Sequence, residues 1–86
     1  MKKVLQRYYT TQKSDIGWMS NFEFVQDTTT GEISIMVQLM CIDGVERVRE
    51  YSIEDFDMTW GVNLFEIDLT LFLSLAVAGL LPAKYL

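Results

Sequence analysis

An Asp-Gly pair at positions 43–44, with apolar runs on both sides, fixes a hairpin near the middle of the chain. Asp-Gly in that setting specifies a two-residue type I′ turn between antiparallel strands. Residues 32–42 before it alternate. Ile33, Ile35, Val37, Leu39 and Cys41 share one face, and Ser34, Met36, Gln38, Met40 and Ile42 the other. A strand apolar on one side and half apolar on the other belongs inside a sheet, or is covered on both faces. The return strand, 45–52, puts Val45, Arg47, Arg49 and Tyr51 opposite Glu46, Val48 and Glu50. Charge on both faces marks a sheet edge guarded against stray pairing.

Upstream, residues 17–26 also alternate, with Trp18, Ser20, Phe22 and Phe24 on one face and Met19, Asn21, Glu23 and Val25 on the other. Asp27-Thr28-Thr29-Thr30-Gly31 reads as the turn between these two strands. Residues 4–9 supply a short optional fourth strand.

The second half changes period. Ser52-Ile53-Glu54-Asp55 resembles a capping box, which predicts a helical turn over about 53–58. Beyond it two readings compete. A helix capped by Asn63 would put Asp68 inside its own apolar face. Taking 62–67 as extended and Asp68 as N-cap of a helix over about 69–80 removes that conflict and is preferred. Gly79 and Pro82 then end the helix. The expected fold is one α+β domain over 1–86, a three- to four-stranded antiparallel meander packed against one C-terminal helix. That helix is apolar nearly all round, apart from a small-residue stripe of Thr70, Ser74 and Ala78. A sheet covers one face only. Leu73 and Leu75 are therefore expected at an oligomer interface, in a homodimer or against a partner.

Composition narrows the chemistry. Of 86 residues 50% are hydrophobic and 22% charged, far from the regime of disordered chains. There is no histidine, so no Ser–His or Cys–His pair and no imidazole ligand is available. Cys41 stands alone, which excludes a disulfide scaffold and reads as a small buried hydrophobe. The glycines form neither a P-loop nor a dinucleotide fingerprint. The net charge of −5 divides unevenly, with +4 over residues 1–13, −6 over 14–46 and −3 over 47–86. An acidic domain repels nucleic acid and is drawn to basic surfaces. The basic, aromatic start (Lys2, Lys3, Arg7, Tyr8, Tyr9) reads as a solvated edge rather than a nucleic-acid arm. No segment has the length of a secretory core or a membrane span, so the expected location is cytoplasmic.

Residues 50–68 hold six carboxylates and no base, interleaved with Tyr51, Phe56, Trp60 and Phe65. Acids ringing aromatic anchors suit a partner-binding face, with Glu54, Asp55, Phe56, Asp57 and Trp60 as its candidate residues. The competing reading makes this stretch a solvated connection whose aromatics close the core. It also approaches a calcium loop, with Asp55, Asp57, Thr59, Asn63 and Glu66 at the expected spacing. The pattern fails where a glycine is needed, because Trp60 stands there and Gly61 follows one place late. No metal, cofactor or catalytic residue is assigned, and no enzymatic activity is expected. The functional expectation is a small acidic protein-binding module acting by occlusion. It would inhibit a larger intracellular protein with a basic or groove-like surface. Small inhibitors of phages and other mobile elements offer an analogy of size and charge alone. The alternative is an assembly subunit that oligomerises through its C-terminal helix.

Overall fold

The computed structural model describes residues 1–85. Four strands, β1 (Lys2–Ser14), β2 (Gly17–Asp27), β3 (Ile33–Cys41) and β4 (Glu46–Tyr51), form one antiparallel sheet in sequence order. Three helices follow: α1 (Ile53–Trp60), α2 (Leu64–Ile67) and α3 (Leu69–Val77). A 3-10 turn spans Ala83–Tyr85. The chain is thus the expected meander with helices on one face, and β4 is an edge as its charges required.

The N-terminal strand is full rather than optional. Its 13 residues pair along the length of β2, well beyond the 4–9 expected. Polar Thr10, Thr11 and Gln12 carry no apolar alternation, and the register shifts between Tyr9 and Gln12, so the pattern stops at an irregularity beyond which the pairing resumes. Gly17 lets β2 pass between its neighbours. Its φ is +145°, and a Cβ there would lie 2.1 Å from the Met40 carbonyl oxygen.

The alternation read for β2 is corrected at Ser20. The registers run Met19↔Leu39 and then Asn21↔Gln38, so Ser20 is an extra residue, a β-bulge. The bulge reverses the parity of the strand. Met19 joins Phe22 and Phe24 in the core, and Trp18 turns to the open face, about half exposed. Two further irregularities lie on β1, at Leu5 between Val4 and Gln6 and between Tyr9 and Gln12.

The Asp43-Gly44 turn is also corrected. Gly44 N–H donates to the Cys41 carbonyl at 2.9 Å, and Cys41 N–H to the Val45 carbonyl at 3.0 Å. That is a three-residue loop over Ile42-Asp43-Gly44, a tight turn followed by a glycine bulge. A type I′ turn needs positive φ at both central residues. Only Gly44, at +81°, adopts it here, and Asp43 does not. Asp43 instead accepts from Val45 N–H (3.0 Å) and Arg47 (3.1 Å). These donors, Arg47 first, hold its carboxyl below the usual range.

Both helix readings contain part of the answer. Residues 62–67 are not extended throughout, because 64–67 form α2 with the Asn63 side chain accepting from Phe65 N–H. Asp68 ends α2 and also caps α3, accepting from Leu71 N–H at 2.9 Å. Breaking the helix at Asp68 resets the register and removes the conflict with the apolar face. α3 stops at Val77, earlier than the 80 expected. Gly79 N–H reaches the Ala76 carbonyl and Leu80 N–H the Leu75 carbonyl, the two bonds of a Schellman motif.

The core lies between sheet and helices. Met19, Phe22, Ile35, Val37 and Leu39 rise from the strands to meet Ile53, Phe56, Phe72 and Leu75. Phe22 and Phe56 pack with ring centroids 4.9 Å apart. The opposite face of the sheet carries no element among the described residues.

Candidate functional site

The acidic–aromatic stretch divides between two environments. α1 turns Ile53, Phe56 and Trp60 inward, at i, i+3 and i+7. Phe56 is 0% and Trp60 4% exposed, so neither is available to a partner. This corrects their expected role as anchors: they close the core, as the competing reading of the stretch has it for these two. The Trp60 indole N–H has no acceptor among the described residues.

The same helix presents Glu54, Asp55 and Met58 outward. Ser52 caps it, its hydroxyl accepting from Asp55 N–H at 3.1 Å. Asp57 is half-buried and accepts from the Tyr85 hydroxyl at 3.1 Å, which ties the C-terminal turn to α1. Burial, and then this bond, push the Tyr85 hydroxyl up to about 12. Asp55, Asp57 and Thr59 lie along α1, a helix where the calcium pattern would need a loop.

On α3 the two interface candidates part company. Leu73 is 50% exposed, whereas Leu75 is 4% exposed and belongs to the core. The outward leucines are Leu69 and Leu73, continued by Val77 at one-turn spacing. The signal in the sequence is thin: Thr70 and Ser74 are the only polar residues of α3, and the side they mark is the exposed one. Thr70, Ser74 and Ala78 run beside that ridge, also exposed. The small-residue stripe therefore does not touch the sheet. Phe65 stands half-exposed, its ring centroid 3.9 Å from that of buried Phe72.

From 53 to 77 the chain carries five carboxylates and no base. Its exposed apolar side chains, Met58, Phe65, Leu69, Leu73 and Val77, thus lie in a wholly acidic segment. Concave sites are shallow by comparison. A depression of about 440 Å³ between the β2–β3 turn and the Gly79–Pro82 segment has Glu32 as its one ionisable lining residue. No helix of the described residues is long and apolar enough to cross a membrane. The chain matches no protein-family model, no curated protein and no solved structure.

Proposed function

We propose that this is a protein-binding module whose helical side engages a basic surface of a larger protein and blocks it. One observation carries the reading. Leu69, Leu73 and Val77 form an exposed apolar ridge in a segment with five carboxylates and no base. Apolar contact supplies affinity, while carboxylates such as Glu54, Asp55 and Glu66 speed encounter and select cationic partners. Phe56 and Trp60 leave the list of contacts and become its support. Affinity capture from the source cells, with wild type, Leu73→Glu and a Glu54→Lys/Asp55→Lys double variant as baits, tests this. A basic protein retained by wild type and lost from both variants is expected. An identical set on all three baits overturns the reading.

The alternative is an assembly subunit using the same ridge. It draws on α3 having no charge from Leu69 to Val77, so that two copies meet there without repulsion. Light scattering on Leu73→Glu separates the two, since only the assembly reading makes the oligomer depend on Leu73.

A further inference from the structure

Independently of that reading, we propose that the open face of the sheet docks a second copy of this chain, with β1 of one copy over β4 of the other. The strand registers arrange this face in rows. Lys13, Trp18, Met40 and Glu46 form one row across the four strands. Tyr9, Asn21, Gln38 and Val48 form a second, and Arg7, Glu23, Met36 and Glu50 a third. Each row starts on β1 and ends on β4. In the first, the cation and the carboxylate stand at opposite edges, and neither has an ion-pair partner among the described residues.

Charge selects one way of stacking two such faces. A two-fold axis parallel to the strands, between β2 and β3, reverses each row onto itself. Lys13 then lies over Glu46 of the other copy, Trp18 over Met40 and Tyr9 over Val48. The third row also superposes Arg7 on Glu50, but these are already paired within their own chain, with Glu23 and Lys2, so the first row carries the charge selection. The pairs at the row ends are opposite in charge or apolar on both sides, and no like charges face each other within a row. A two-fold axis across the strands would instead set β1 on β1 and bring Lys2, Arg7 and Lys13 against the same strand of the other copy. The favoured stacking is isologous and closes at two subunits. It also matches the way sheets pack face to face, with strand directions within about 30°.

The face has the relief and size for this. Tyr9 is 76% exposed, and Trp18 and Val48 are about half exposed. Lys13 Nζ sits 5.5 Å from the Trp18 ring, held at the rim. A depression of about 240 Å³ opens beside the Ser20 bulge, between Trp18, Gln38 and Met40. The facing copy's Met40 or Trp18 side chain can fill it, and thioether–aromatic contact is favourable. Four strands about 4.8 Å apart and roughly ten residues long give a face of about 600 Å² in projection. That is of the order of the ~800 Å² per partner of a standard interface.

Sedimentation velocity on the full chain from 1 to 200 µM, in low salt, tests the proposal. The proteins are wild type, Lys13→Glu, Glu46→Lys, an equimolar mixture of the two variants, and Leu73→Glu, each checked for native circular dichroism. Wild type and Leu73→Glu are expected to dimerise alike. Each single charge reversal should weaken dimerisation at least tenfold, because the two-fold axis repeats the like-charge contact. The mixture should recover the dimer. The carboxylate introduced at position 13 of one variant then faces the ammonium introduced at position 46 of the other, and the native Lys13 and Glu46 that remain face each other, so both contacts are restored. A monomeric wild type at 200 µM overturns the proposal. So do charge variants as dimeric as wild type, a mixture that fails to recover, or a dimer lost with Leu73→Glu.

Discussion

The Tyr8 hydroxyl donates to Asp68 Oδ2 at 2.9 Å, joining the edge strand β1 to the cap of α3 across 60 residues of sequence. Asp68 therefore serves two elements, with one oxygen on Leu71 N–H and the other on Tyr8. The Tyr8 ring stacks on Phe22 at 5.1 Å, so the hydroxyl is aimed by the core itself. Tyr8→Phe should keep the packing and cost about 1–2 kcal/mol, because the lost acceptor is a charged carboxylate in a part-buried place. Asp68→Ala, which loses the cap as well, should lower the melting temperature further than Tyr8→Phe does. Equal melting temperatures for the two variants would mean that the cap contributes nothing.

Stability should be flat from about pH 5 to 8, because the chain has no histidine to titrate there. At the acid end Asp68 is held below the usual carboxylate range, by Leu71 N–H first and Tyr8 second. A lowered folded pKa means its contribution is complete above the unfolded value near 4. That contribution is lost as pH falls through the lower folded value. Asp27, which accepts from Thr29 and Thr30 N–H, behaves likewise. At the alkaline end burial and Asp68 raise Tyr8, and burial and Asp57 raise Tyr85 to about 12. Their contribution is complete below about pH 10 and fades as pH climbs through the raised values. Urea titrations at pH 2.5, 5 and 8 check this, with Asp68→Asn expected to shrink the difference between 2.5 and 5. A clear step between 5 and 8 would contradict it.

Phe56→Ala and Leu75→Ala should each cost about 2–5 kcal/mol as cavities in the core. Leu73→Ala should lie within about 1 kcal/mol of wild type, because half of that side chain already faces water. Denaturant midpoints at constant slope provide the comparison. Trp60→Phe should cost less than its lost volume suggests, since it removes an indole N–H that has no acceptor among the described residues.

Gly17→Ala should be far more damaging than Gly44→Ala. Both positions have positive φ, but the new methyl at 17 meets the Met40 carbonyl, whereas at 44 nothing lies within 4 Å. The first variant should lose most of the sheet's amide protection, and the second should fold with about 1 kcal/mol lost. Similar protection in both would remove Gly17 from the account of how β2 threads the sheet.

Period and turn chemistry carried the meander, since β3 reads as a strand on both its faces and β4 as an edge by its charges. What escaped them has specific causes. The Ser20 bulge inverts one strand without changing its composition, so Trp18 and Met19 exchanged sides. α3 is apolar except for Thr70 and Ser74, a stripe too small to show by itself that Leu75 goes to the core and Leu73 to the surface. Phe56 and Trp60 lie among carboxylates in sequence, yet the helical period separates them in space, aromatics inward and Glu54 and Asp55 outward. The length of β1 came from pairing with β2 rather than from its own residues.

The binding reading rests on the outer ridge of α3, and a titration of the captured basic partner against wild type and Leu73→Glu at 50 and 200 mM salt tests it most directly. Wild type is expected to bind more weakly at the higher salt, and Leu73→Glu to lose at least tenfold in affinity at both while its denaturant midpoint stays near wild type. Equal affinities for the two proteins, or binding indifferent to salt, would contradict it.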